Sequence, residues 1–229
     1  MRTDIQMETR GMKRRSMLAS IAALGLSACA GGPVKPGADQ QIRSVAILSL
    51  LGEEPPYASI GLTVFNNSYR PIKTEGKLAE AIESTIRSRL QTGRPQWQVK
   101  PVAEASAIRA VLQDKPALRL KRQTDIGRIE SLLPDLATRS EVDAVFVVAA
   151  LQMDFIGDAG VGVVSRYQRE AQLMAATRLA LVSRAGVELA GGDGYFNEVL
   201  KKVPQGGLAE SMVRAVNAAV QQAAQQAGY

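Results

Sequence analysis

The chain has no histidine and one cysteine, and aromatic residues fill only 4% of its 229 positions. Without histidine it cannot build a Ser-His-Asp or Cys-His nucleophile pair, a histidine general base or a histidine-containing zinc site. One cysteine forbids an internal disulfide and a Cys-only metal cluster. What is present is ordinary for a globular protein: 46% hydrophobic, 22% charged, 20 Gly and 10 Pro. No catalytic residue, cofactor site or metal site is identifiable in this pattern.

The one cysteine has an informative position. Lys13, Arg14 and Arg15 precede an apolar run, residues 17–26, which ends in Ser27, Ala28 and Cys29. A basic start, a short apolar stretch and small residues form a secretory signal peptide. As a helix, residues 17–28 cover roughly 18 Å, short of a hydrocarbon core of about 30 Å, so the segment is not a stable membrane span. Leu26, Ser27, Ala28 and Cys29 resemble the lipobox of bacterial lipoproteins. That resemblance implies cleavage before Cys29, acylation of its thiol and usually of its new amine. Each buried methylene contributes about 0.8 kcal/mol, so two or three chains anchor stably. Ala30, where no Asp stands, favours the outer membrane by the same resemblance. Arg14 and Arg15 also resemble a twin-arginine export motif, although paired basic residues are ordinary in a signal's basic region.

Residues 1–28 carry five basic and two acidic side chains, half of the whole chain's net charge of +6. The mature part is therefore only +3. The cluster Arg119, Lys121 and Arg122 has no aromatic neighbour for stacking, so no nucleic-acid partner is expected. Residues 29–41, with Gly31, Gly32, Pro33, Pro36 and Gly37, read as a lipidated flexible tether, and 42–229 as a single α/β domain.

Within that domain the apolar run 45–51 reads as a strand covered on both faces. A short strand is possible at 62–65. Thr74 is a candidate cap for a helix with Leu78, Ile82, Ile86 and Leu90 on one face, ended by Gly93. Residues 97–102 predict a strand and 105–112 a short helix, and Pro134 should divide or bend a helix over 125–139. Residues 142–151 predict a central strand. Alternation over 169–182 places Leu173, Leu179 and Leu181 on one face, and Ser183 to Gly186 supply a turn into a returning strand over 187–190. A closing helix over 207–227 carries Leu208, Met212, Val216 and Val220, with Gln and Ala on its back. The low charge of that back suits a partner. The fold class is α/β: a mixed sheet packed by amphipathic helices, with a long antiparallel hairpin and a C-terminal helix.

Between the strands, Gly157, Gly160, Val161, Gly162 and Val163 form a candidate interaction loop, with the valines exposed toward a neighbouring subunit or the membrane; a linker between strands is the alternative. A dinucleotide loop is disfavoured, because Ser165 stands at the third glycine position and no helix follows. Asp154 with Asp158 and Glu53 with Glu54 read as strand-end residues. Gly191, Gly192, Asp193 and Gly194 read as a turn or bulge.

The segments Ser44-Val45-Ala46-Ile47-Leu48, Trp97-Gln98-Val99 and Asp143-Ala144-Val145-Phe146-Val147, with the helix over 78–90 and the hairpin over 181–189, resemble the curli-secretion (CsgG-like) lipoproteins. The amino-terminal domain of TolB and the lipoprotein of Pel polysaccharide export are similar. The resemblance implies a non-enzymatic outer-membrane lipoprotein facing the periplasm, a component of an export or cell-surface system that forms homo-oligomers or binds an envelope partner. No pair of long alternating segments suits membrane-spanning hairpins, so a self-made pore is not expected. The alternative is a periplasmic module binding a small ligand or glycan. An enzyme, resting on carboxylates alone, ranks last.

Overall fold

A computed structural model describes residues 33–34, 37–102, 132–151, 153–154, 156, 159–167, 169–201 and 207–229. The helix expected over 105–112 and the first part of that over 125–139 lie outside these residues. In chain order the elements are β1 (Ser44–Ser49), β2 (Pro56–Ile60), β3 (Ser68–Pro71), α1 (Lys77–Gly93), β4 (Gln98–Lys100), α2 (Leu133–Arg139), β5 (Ala144–Ala150), β6 (Val161–Arg166), β7 (Ala171–Ser183), β8 (Glu188–Leu200) and α3 (Leu208–Gln226). No helix among the described residues is long and apolar enough to cross a membrane.

The eight strands form one mixed sheet organised on β7. Along one edge β7 pairs antiparallel with β6 over its first residues and with β5 over its last, while β8 runs along the other edge for nearly its whole length. Ala176 sits at the junction: Leu151 donates to its carbonyl at 3.0 Å, and its own N–H donates to Gly160 at 2.8 Å. β5 and β6 are thus one line of pairing interrupted by the excursion 151–160. Two wings extend from it. β1 and β4 add in parallel beside β5, and β2 and then antiparallel β3 add beside β6.

Burial explains the sequence patterns. β5 is buried at all seven positions because helices cover both of its faces. On one face Leu78, Ile82, Ile86 and Leu90 of α1, with Met212, Val216 and Val220 of α3, pack on Phe146, Val148, Leu173, Leu179 and Leu181. On the other, Leu133 and Leu136 of α2 cover Ala46, Leu48, Val145, Val147, Ala180 and Val182. Pro134 starts α2, where its missing N–H costs no helical bond. At roughly 1.5–3 kcal/mol per fully buried large apolar side chain, these two layers supply the main drive for folding.

Several expectations change. Residues 62–65 are not a strand but the connection of the β2–β3 hairpin, containing a single 3-10 turn, Val64–Asn66. Thr74 does not cap α1 directly. Its hydroxyl donates to the Glu53 carbonyl at 2.7 Å, and the Glu53 carboxylate accepts the Gly76 N–H at 3.0 Å, placing a negative charge at the positive end of the helix. Glu53 is therefore a cap supplied by the β1–β2 loop. The returning strand is β8, which runs to Leu200, and residues 191–194 lie in its interior.

α3 explains those glycines. A Cβ on Gly194 would strike the Ala219 carbonyl, and one on Gly192 would strike that of Ala223. The strand surface there is bare backbone, and the helix settles onto it. Gln222 accepts the Tyr195 N–H at 2.7 Å and Gln226 the Asp193 N–H at 3.0 Å, so two side chains of α3 satisfy donors on the outer edge of β8. Part of the Gln-rich back of the closing helix thus serves the chain's own sheet.

Candidate attachment and interaction surfaces

Leu26, Ser27, Ala28 and Cys29 lie outside the described residues. Val34 donates to the Ala227 carbonyl at 3.3 Å and packs against the core at the C-terminal end of α3. Residues 37–42 then turn, with Gln40 bonded back to Gly37 and Ile42 to Asp39. The Asp39 carboxylate accepts from Arg94 at 3.0 Å, and the Arg94 guanidinium lies 5.6 Å from the ring centre of Tyr229. The region expected as a tether over 29–41 is docked onto the domain from Val34 onward.

The candidate interaction loop is placed differently from its sequence reading. Gly157 lies outside the described residues. Gly160 takes a φ of +74° at the point where the chain rejoins the sheet, and a Cβ there would press on Leu51 and Ala150. Val161 and Val163 are 0% exposed, inside β6. Gly162 fits under Ile156 and beside the Pro56 carbonyl. These side chains face the core, in the apolar layer that α1 and α3 cover. Their glycines permit close packing; the valines are not available as a contact surface.

Exposed apolar side chains concentrate instead on the β2–β3 hairpin. Phe65 is 92% exposed and Leu62 74%, the two highest values among the large apolar side chains described. The tip is held in shape: Asn66 donates to the Thr63 carbonyl at 3.0 Å, Gly61 donates to the Asn67 side chain at 3.1 Å, and a Cβ on Gly61 would overlap Asn66. Tyr167, whose N–H donates to Ile60 at 2.9 Å, and Tyr69 flank it, both more than half exposed. Arg70 stacks over Tyr57 at 4.4 Å. Between the ends of β2 and β6 lies a shallow groove of about 350 Å³, lined by Ser59, Asn66, Arg166, Tyr167 and Arg169 among others. Single exposed apolar residues are common, but a clustered and preshaped set marks a contact surface.

The carboxylates singled out in the sequence take separate places among the described residues. Asp154 is exposed and Asp158 lies outside them, Glu53 caps α1, and no group of three or more His, Cys, Asp or Glu side chains could hold a metal ion. Asp143 ties the starts of β1 and β5 together. Its carboxylate accepts the N–H groups of Arg43 and Ser44 at 2.9 Å each, and the Ser44 hydroxyl at 3.0 Å. Burial raises its pKa, but these hydrogen bonds and the nearby Arg184 charge together outweigh it, holding the carboxyl below its ordinary value. A carboxyl lowered in the folded state contributes stability that is complete above the unfolded value and is lost as pH falls through the folded one. The stability gap between the native chain and Asp143→Asn should therefore be constant from neutral pH down to about 5 and shrink below about 4, a window that denaturant titrations at stepped pH will read. A gap that stays constant down to the acid limit would mean the carboxylate's charge contributes nothing.

A scan against protein-family models finds no match, and neither does a search of curated proteins. Among solved structures the chain is similar to a lipoprotein of Neisseria meningitidis, with 16% identity over 75% of this chain and 92% of that one, at a TM-score of 0.34. It is also similar to the PelC dodecamer of Paraburkholderia phytofirmans, with 8% identity over 84% and 89% of the two chains, at a TM-score of 0.33. A substituted form of that PelC dodecamer matches at 11% identity over 86% and 94%, with a TM-score of 0.35.

Proposed function

We propose that this chain is a lipid-anchored, non-catalytic protein of the bacterial envelope, held at the outer membrane facing the periplasm. It acts as an assembly or accessory component of an export or cell-surface system and associates with itself or with an envelope partner. One observation carries the reading: the only cysteine of the chain stands at the end of a signal-like segment, directly after Leu26, Ser27 and Ala28. The contact cluster on the β2–β3 hairpin supports an interaction role, since it presents exposed apolar and aromatic side chains.

Cys29→Ser tests the anchor. The variant should leave the membrane fraction and accumulate as an uncleaved precursor, while the native chain carries acyl mass on its first residue. A native Cys29 with a free thiol and an intact leader would refute the reading. Light scattering on the detergent-solubilised lipidated protein tests self-association. The groove beside Tyr167 favours a second reading, a module for a small ligand or glycan, and a strict monomer that changes only on adding such a ligand would support it over the first.

A further inference from the structure

We propose that the tip of the β2–β3 hairpin is a second membrane contact, which seats Leu62 and Phe65 in the surface of an anionic bilayer. The two apolar side chains project from a turn fixed by the Asn66–Thr63 and Gly61–Asn67 hydrogen bonds, so inserting them orders little that is not already ordered. Tyr69 and Tyr167 stand beside them with amphipathic rings suited to the headgroup level. The charge near the tip is mainly positive: residues 57–71 and 167–170 contain Arg70 and Arg169 against the single carboxylate of Glu170. Such cations near an anionic surface add an attraction that a neutral bilayer does not offer. The groove between β2 and β6, with Arg169 and Asn66 on its walls, has the size and donors for a phosphate headgroup.

Shape separates a lipid surface from a second copy of the chain. A stable protein interface buries about 800 Å² on each side around a packed centre, whereas two side chains on a narrow projecting turn, rimmed by arginine, suit a fluid surface that yields around them. The contact is independent of acylation and lies at the other end of the sheet from Val34, on the order of 30 Å away along β7. With both ends held, the long axis of β7 and β8 lies along the bilayer.

The test uses the full lipidated chain with Thr63→Cys, labelled with an environment-sensitive fluorophore and reconstituted into vesicles of phosphatidylcholine with or without phosphatidylglycerol. In the presence of phosphatidylglycerol the probe should shift to the blue and be quenched by nitroxide carried on the lipid tails. Both effects should vanish when Leu62→Ser and Phe65→Ser are added, or when Arg70→Glu and Arg169→Glu are added. The same Thr63 probe in vesicles of phosphatidylcholine alone supplies the reference. A Thr63 probe quenched no more than that reference overturns the proposal. So does a shift that follows protein concentration at constant lipid, which would assign the tip to a second copy. Failure of the anchor appears separately, as a second labelled thiol on Cys29 by mass.

Discussion

Gly194→Ala should lower the stability of the domain by about 3 kcal/mol or more, and its Tm by roughly 6–12 °C. The added methyl has nowhere to go. Its nearest obstacle is the backbone carbonyl of Ala219, which cannot rotate aside without moving a turn of α3. Lifting the helix also withdraws Gln222 and Gln226 from the β8 N–H groups that they accept, leaving those donors without protein partners. The neighbouring glycines form a graded series. Gly192→Ala meets the Ala223 carbonyl and should be nearly as costly. Gly191→Ala meets mainly the flexible end of Glu188 and should cost much less. Gly93→Ala has nothing within 4 Å and should change stability by no more than about 0.5 kcal/mol. Thermal unfolding followed by circular dichroism reads all four. Equal Tm values for Gly194→Ala and Gly93→Ala would show that α3 does not rest on the strand.

Tyr229 presents an opposite pair of outcomes from one side chain. Its ring meets Phe146 edge-on at 5.1 Å and Trp97 at 5.9 Å, closing the core between α1 and the sheet. Tyr229→Ala should cost about 3 kcal/mol through lost burial and the cavity left behind. Tyr229→Phe should be neutral or stabilising by up to about 1 kcal/mol, because the buried hydroxyl has no hydrogen-bond partner among the described residues and the ring contacts survive its removal. Burial, reinforced by the Asp39 charge and opposed by Arg94, raises the pKa of the phenol, so it stays neutral in ordinary buffers. Trp97 is the only tryptophan of the chain, and its fluorescence reports on this cluster during urea unfolding. A Phe variant less stable than the native chain by more than 1 kcal/mol would reveal a bond made by the hydroxyl.

The parts of the fold that were legible in the sequence are those in which one element decides its own pattern. Four-residue spacing from Leu78 to Leu90 gave the buried stripe of α1, and the unbroken run of β5 reflected cover on both faces. Gly186, at φ +78°, fixed the turn between β7 and β8. Where two distant elements decide together, local rules failed. Gly192 and Gly194 read as a turn because glycine favours turns, yet they answer to Ala219 and Ala223, more than 20 residues later. The alternate glycines of a strand, matched by four-residue spacing of alanines in a helix, were the available signal. Val161 and Val163 looked exposed among glycines, but they lie in the core layer that distant helices cover. At residues 62–65 apolar character suggested a strand, and the turn chemistry of Gly61, Asn66 and Asn67 was the better guide. The contact cluster was missed for the same reason: Tyr167 joins the hairpin tip only through pairing of β2 with β6.

On the lipid-anchored reading proposed above, the hydrogen bond from Val34 to Ala227 changes the mechanics of the chain. Twelve free residues after Cys29 would be a leash of up to about 42 Å, long enough for the body to search the space around its lipid. With Val34 fastened, only five steps of chain would remain, at most about 18 Å. A partner would therefore have to approach the body close to the bilayer plane, because the body itself can rise and swivel only a short way from it.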